Sequence, residues 1–328
     1  MIESWRWFGP QDPVSLDDAR QAGATDIVSA LHQIPIGQAW TDAAVAERKT
    51  LIETSPPGRS PLRWSVVESI PIPDDVKRLG GDAKQSIEAW IASMEAVARA
   101  GIRIICYNFM PVVDWCRTDL EWELPNGAKA MRFDHRRFAA FELHILERPG
   151  AELDFTPEVR VAARRSFEAM SQNDIDHLVM VITSALPGST TEPLTLPAFR
   201  DKLEAYRGID NAVLRRHLIE FLEAVTPAAE KLGVTLTLHP DDPPRPLFGL
   251  RASRRPPTTI RRCSTPCRPE PTACASAPVR WACAPKTTCP PWPPGLHRTL
   301  PSRICAPPGA RPMAFPSTNP TTSTAITT

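Results

Sequence analysis

A histidine and two aspartates follow an apolar run in the segment VTLTLHPDDPP. His239 ends the run, and Asp241 and Asp242 lie just past it. A neutral imidazole is a suitable ligand for Fe, Mn or Zn, and the prolines stiffen the loop that would hold it. A lone histidine is more often a structural residue bonded to a nearby backbone group. The segment therefore makes His239 a candidate metal ligand or catalytic residue and Asp241 a candidate substrate contact, with the structural alternative for the histidine still open.

Two further polar side chains fall near the ends of other predicted strands. Glu68 closes RWSVVES, and Asn108 lies in IRIICYNFMPV. In a parallel sheet both would project into the same mouth as His239, which favours a polar substrate pocket. The alternatives are that Asn108 is a hydrogen-bonded core residue and that Glu68 is paired with an arginine.

Charged residues also open the segment that follows the fourth predicted strand. Asp114, Arg117 and Asp119 could meet a charged substrate, with Arg117 as a binding residue, or could form a solvated loop face. The sequence alone does not choose between the two.

The elements that must position these residues alternate between apolar runs and amphipathic segments. One helix is predicted to begin at Ser15 and close at Gly23, a second to be capped by Thr41 or Asp42, and a third to end at Gly101. The predicted strands are SWRWFG, DIVSAL, RWSVVES, IRIICYNFMPV and GVTLTLH. This order, with short connections and no evident reversal point, predicts an α/β protein built as a TIM (β/α)8 barrel.

About a hundred residues, roughly 114–210, interrupt the alternation after the fourth strand. An insertion at the carboxyl end of a barrel strand is typical of a lid or a wall of the substrate pocket. A packing or oligomer-forming excursion is the alternative, so a homo-oligomer is compatible with the sequence.

The composition changes abruptly after Leu250. Residues 251–328 contain 11 of the 38 Lys and Arg but one of the 37 Asp and Glu, together with 17 of the 37 prolines. The tail therefore carries a net charge of +10, whereas residues 1–250 carry −9. Because apolar periodicity also disappears, we predict a barrel portion in residues 1–250 and an irregular, disordered Pro/Arg/Cys-rich tail.

Several function classes are disfavoured by the same features. The start MIESWRWFG and the lack of any long apolar segment give no indication of export or membrane insertion, so a cytoplasmic protein with reduced thiols at Cys106 and Cys116 is expected. The tail cysteines form no Cys-x₂-Cys pair, which argues against a zinc module. Its basic residues could serve as a nucleic-acid-binding arm, but we predict no nucleic-acid partner.

Five blocks together resemble the mannonate dehydratase family: WRWFGPQDPV, ALHQIPIGQAW, WSVVESIPI, YNFMPVVDWCRTDLEWELPNGAKAMRFD and LHPDDPPRPLFGL. The resemblance covers residues 1–250. It implies a barrel of the xylose-isomerase-like kind, here incomplete with about five strands, and Fe(II) or Mn(II) as cofactor. It also implies a hydro-lyase that converts D-mannonate to 2-dehydro-3-deoxy-D-gluconate and water in hexuronate and glucuronate catabolism.

Within that resemblance, His239 matches the metal-ligating histidine of the family's HPDDPP motif. The family's other ligands, a Cys, a second His and an Asp, come later in its chain together with its proton-transfer residues, so the catalytic acid and base stay unassigned. None of those later motifs is found after Leu250.

The tail becomes family-like when its reading frame is shifted. With GC-rich codons assumed, a one-nucleotide shift converts RASRRPPTT to a segment resembling PRIASTPDDY. The same shift converts ACASAPVRWACAPKTTCPPW to one containing the family's FCTGS pattern. We therefore interpret residues 251–328 as out of frame. A non-catalytic truncated barrel and a metal-dependent sugar isomerase on the same fold are the alternative functions.

Overall fold

The computed structural model describes residues 2–113, 115–184 and 193–250, together with the backbone strands of 272–275 and 280–281. The strands are β1 Ser4–Arg6, β2 Asp26–Ser29, β3 Arg63–Glu68, β4 Ile104–Tyr107, β5 Asp119–Glu123, β6 Lys129–Arg132, β7 Thr235–Leu238, β8 Thr272–Ala275 and β9 Arg280–Trp281. The α-helices are α1 Leu16–Gln21, α2 Asp42–Glu53, α3 Asp74–Arg78, α4 Ala83–Arg99, α5 His135–Ala140, α6 Pro157–Glu168, α7 Gln172–Thr183, α8 Leu196–Glu204 and α9 Asn211–Leu232. A π-helical turn, Phe141–Ile145, and a 3₁₀ turn, Ala151–Leu153, complete the described elements.

A parallel sheet organises residues 1–250. Its strands pair in the order β1-β2-β3-β4-β7, each parallel to its neighbour. Glu68 pairs with Cys106 and Tyr107 with Leu238, so the carboxyl ends of β3, β4 and β7 lie side by side. Because successive strands of residues 1–250 pair without a reversal, the predicted α/β class and the five parallel strands are confirmed, in the order expected for a barrel.

The described part of the tail departs from the expected irregular structure. β8 pairs parallel with β7, and β9 pairs antiparallel with β8. Backbone ladder bonds to an open strand edge need no apolar periodicity, which is why the sequence pattern gave no sign of them. The remaining residues of 251–328 lie outside the described part, so the prediction for them stays untested.

The barrel core lies between the sheet and its helices. Phe221 of α9 is fully buried, and its ring contacts Trp90, Tyr107 and Phe109 at centroid distances of 5.2–6.0 Å. These contacts attach α9 and α4 to β4. They therefore fix the strand end that carries Asn108.

Local signals define the helix starts. The Ser15 hydroxyl accepts a hydrogen bond from the Asp18 amide, and the Asp18 carboxylate accepts one from the Ser15 amide, which completes a capping box. Thr41 caps α2, so of the two predicted caps the threonine is correct. None of the helices in the described residues is long and apolar enough to span a membrane.

The segment between β4 and α9 has a hydrophobic core of its own. Phe138, Phe141 and Phe199 pack around Phe248, with ring centroids 5.0–6.4 Å from it. Phe248 belongs to the loop that follows β7, so that loop is packed against the insertion. The insertion also contains the antiparallel hairpin β5–β6. Its predicted role as a lid stays a prediction.

Candidate active site at the carboxyl ends of the parallel strands

Four polar side chains share the face of the sheet opposite the helices. Successive strand residues point to opposite faces. Arg6, Glu68, Cys106 and His239 each lie next to a residue of the helix-facing core; those core residues are Trp7, Val67, Ile105, Tyr107 and Leu238. The four polar residues therefore point into the barrel interior, at or near the carboxyl ends of β1, β3, β4 and β7.

A chain of close contacts links these groups across the mouth. Arg6 Nη2 lies 2.9 Å from His32 Nε2, in the loop after β2. Arg6 Nε lies 4.0 Å from Glu68 Oε2, and Glu68 Oε1 lies 3.9 Å from His239 Nε2. Two imidazoles, a guanidinium and a carboxylate thus form one continuous cluster.

The hydrogen bond of His239 orients its ring. Nδ1 lies 2.7 Å from the carbonyl oxygen of Pro240, which can only accept, so Nδ1 carries the proton. The lone pair of a neutral His239 is then on Nε2, the atom that faces Glu68. This is the arrangement in which histidine can act as a ligand or a proton acceptor.

Burial keeps His32 neutral. The pKa of His32 is lowered to about 3, first by burial and then by the positive charges of Arg6 and Arg48. A neutral imidazole can accept the hydrogen bond that Arg6 donates to Nε2. Arg48 also stabilises the loop after β2 that carries His32. Its Nη1 donates to the Ala30 carbonyl at 2.7 Å and its Nη2 to Gln33 Oε1 at 3.1 Å.

Burial also shifts the other inner-face groups. It lowers the pKa of Arg6, an effect that the negative charge of Glu68 opposes. Burial raises the pKa of Cys106 well above the usual thiol value, and Glu68 raises it further. Cys106 is therefore a neutral thiol. Cys106 and Cys116 are both free, as predicted.

Asn108 is placed at the same level as His239. It follows Tyr107 as His239 follows Leu238, and those two strand residues are paired. Asn108 is buried, and its Oδ1 has no hydrogen-bond partner among the described residues. An unsatisfied buried acceptor is unfavourable, so this oxygen is suited to a ligand hydroxyl or amide.

Arg117 and Asp241, two further predicted site residues, have the following surroundings in the structure. Arg117 Nη2 lies 2.5 Å from Asp242 Oδ2, and its guanidinium stacks over the Trp115 ring at 5.0 Å. Asp241 is buried and lines a small cavity with Arg245 and residues of the 247–250 loop. The structure thus brings His239 and Glu68 together and sets Asn108 beside them. The substrate-binding roles predicted for Arg117 and Asp241 stay predictions, and Asp114 lies outside the described residues.

The donor set falls short of a complete metal centre. His239 Nε2 and the Glu68 carboxylate are two suitable donors, but no group of three His, Cys, Asp or Glu in the described part of the chain could hold an ion. A catalytic metal normally has three or more protein ligands. The described residues therefore do not fit the Fe(II) or Mn(II) site that the sequence predicts.

Arg6 and His32 were missed as site residues by the sequence reasoning. They lie in the blocks WRWFGPQDPV and ALHQIPIGQAW, and His32 comes three residues after the end of β2. Applying strict alternation from Trp7 would have placed Arg6 inside the barrel. No local sequence pattern predicts the contact between Arg6 of β1 and His32 in the loop after β2.

Polar side chains at the carboxyl ends of adjacent parallel strands define the arrangement found in barrel enzymes. The family model described as D-mannonate dehydratase (UxuA) matches residues 1–261. The chain belongs to this family, as its sequence motifs predicted. The match also extends beyond Leu250.

Individual relatives support the same family assignment. Proteins named mannonate dehydratase from Brucella canis and Brucella suis are each 68% identical over 250 residues, which is 76% of this chain and 62% of theirs. The crystal structure of mannonate dehydratase from Streptococcus suis serotype 2 is 29% identical with a TM-score of 0.53, covering 77% of this chain and 57% of that one. The chain thus spans about three-fifths of the length of the curated relatives it matches.

Proposed function

We propose that the site acts on D-mannonate and serves its dehydration to 2-dehydro-3-deoxy-D-gluconate. The observation that carries the proposal is the cluster of Glu68 and His239 at the barrel mouth, in a chain of the D-mannonate dehydratase family. The 68% identity to the named Brucella enzymes supports the same substrate. The truncated-barrel and sugar-isomerase alternatives have no comparable support from the relatives.

The reaction requires two proton transfers. One group takes the proton from C2, next to the carboxylate, and another protonates the departing C3 hydroxyl. In this chain the polar groups that face the barrel interior bind and orient the sugar acid. Asn108 Oδ1 can accept a hydrogen bond from a sugar hydroxyl. The Glu68 carboxylate and His239 Nε2 can accept a proton or a hydrogen bond from a hydroxyl. The acid and the base are not assigned to particular residues.

We propose further that the holoenzyme uses Fe(II) or Mn(II), with His239 as one ligand, and that it works in the hexuronate catabolism of a bacterial cytoplasm. Because the described residues supply two donors instead of three or more, the 328-residue chain should bind the ion weakly. Its turnover should be correspondingly low. The protein expressed from a gene with one nucleotide restored after codon 250 should be active.

The test compares the two chains with D-mannonate and added Mn(II) or Fe(II), following the 2-keto product. Each proton-transfer group typically contributes about 10²–10⁴-fold to the rate, so a large difference is expected. In the restored chain His239→Ala should abolish activity, whereas His177→Ala, on the exposed surface of α7, should not. Equal turnover by the original and restored chains would refute the frameshift interpretation.

A further inference from the structure

We propose that Arg6, held by His32, is the anion-recognition residue of the mouth and binds the carboxylate of the sugar acid. The inference rests on the proposed function and deepens it by assigning the group that distinguishes an acid from a neutral sugar. Among the predictions made from sequence, neither residue was given this role.

The position of Arg6 carries the first step. It is the last residue of β1 and points into the barrel, in contact distance of Glu68 and hence of the cluster that includes His239. Its side chain is 21% exposed, so the protein does not enclose it completely. A guanidinium has five N–H donors in a planar fork that matches a carboxylate.

The engagement of the other nearby arginines carries the second step. Arg117 is paired with Asp242 at 2.5 Å. Arg48 is buried and bonded to the Ala30 carbonyl and to Gln33. The separation between Arg6 Nε and the nearest Glu68 oxygen is 4.0 Å, too long for a hydrogen bond. Unlike Arg117, Arg6 has no carboxylate within hydrogen-bonding distance among the described residues, and unlike Arg48 it belongs to the cluster with Glu68.

The contact with His32 carries the third step. His32 Nε2 accepts from Arg6 Nη2 at 2.9 Å, and the Phe8 ring lies under the guanidinium at 4.7 Å. Arg6 Nη1 also donates to the Trp7 carbonyl oxygen at 3.4 Å. These three contacts fix the plane of the fork before a ligand arrives, which lowers the entropy lost on binding. His32 is thus a positioning residue that acts through Arg6.

The experiment measures equilibrium binding to the 328-residue chain of D-mannonate and of D-mannitol, which replaces the carboxylate by a hydroxymethyl group. The readout is the dissociation constant for D-mannitol divided by that for D-mannonate, a ratio that is large when the carboxylate is preferred. Arg6→Gln should reduce this ratio about 10- to 100-fold, the range expected for a hydrogen bond to a charged group. Arg6→Lys should retain part of the preference, because it keeps the charge and loses the fork.

Two variants separate recognition from stability and from general electrostatics. His32→Phe should reduce the ratio by releasing Arg6, whereas a purely structural role for His32 would weaken both ligands equally and leave the ratio unchanged. Arg99→Gln removes the same charge from an exposed position at the end of α4 and should have no effect. Thermal unfolding of each variant establishes that it is folded.

The outcomes distinguish this inference from the proposed function. Preference for D-mannonate in the unaltered chain that persists in Arg6→Gln would overturn the assignment of Arg6 and leave the substrate intact. No preference in the unaltered chain would overturn both the substrate and the assignment. Loss of preference in Arg6→Gln but not in Arg99→Gln supports the inference.

Discussion

Lowering the pH should destabilise the folded chain through His32. The folded state holds this imidazole neutral with a pKa of about 3, because it is buried beside Arg6 and Arg48. In the unfolded chain the pKa returns to about 6.5. The contribution of neutral His32 to the unfolding free energy is therefore complete above the unfolded pKa. It is lost as the pH falls from about 6.5 towards 3, because in this range only the unfolded state takes up the proton.

The magnitude follows from proton linkage. Between about pH 7 and pH 5 the unfolded histidine becomes almost fully protonated while the folded one does not, which costs about 2 kcal/mol of unfolding free energy. At still lower pH the loss would approach about 5 kcal/mol.

The assay is urea unfolding of the native chain and of His32→Gln at both pH values. Glutamine keeps an acceptor oxygen for Arg6 but does not titrate. All other groups are shared, so their contributions cancel when the two pH-dependent losses are subtracted. The native chain should lose about 2 kcal/mol more than the variant. Equal losses would show that His32 is protonated or solvated in the folded state and would refute the reasoning.

One core substitution with its exposed control, and one substitution in a partly buried ion pair, test the packing of the sheet and of the insertion. Phe221→Ala should lower the unfolding free energy by about 3–5 kcal/mol, because it leaves a cavity among aromatic rings, whereas Leu153→Ala, at 84% exposure, should change it by less than about 0.5 kcal/mol. Similar effects in urea unfolding would mean that α9 is not packed as described. Glu142→Ala should lower the unfolding free energy by about 1.5–3 kcal/mol, because it removes a buried carboxylate that accepts a hydrogen bond from Arg148, although Arg148 keeps Asp154 as a partner. A neutral result, again from urea unfolding, would place this pair in solvent.

Local signals in the sequence were sufficient for much of the fold. The five parallel strands were predicted because each is a short apolar run between turn residues, and the caps at Ser15 and Thr41 because a hydroxyl precedes the helix by one position. The hairpin β5–β6 was missed, although Asn126–Gly127 is a turn signal. Its strands are half-exposed and charged, so they lack the apolar run on which the other predictions relied.

The candidate site was predictable only in part. Glu68, Asn108 and His239 could be found because each ends or follows a recognisable strand. Arg117 is near the mouth in sequence, but its pairing with Asp242, 125 residues away, could not be read from local pattern. Contacts of this kind depend on how loops from different strands meet.

The proposed recognition of the carboxylate and the proposed metal binding make different demands on the geometry of this chain. Arg6, Glu68 and His239 are oriented by the alternation and register of strands within residues 1–250, so their cluster forms without any further ligand. An ion of the kind proposed needs additional donors on neighbouring strands of the barrel. In the described residues, two candidate donor atoms lie close together, a Glu68 carboxylate oxygen and His239 Nε2, and no third His, Cys, Asp or Glu joins them. Under the two proposals, the same sheet would hold a sugar acid by its carboxylate while lacking the coordination proposed for turnover. Substrate preference is then the property of this chain that most directly tests its inner face, independently of catalysis.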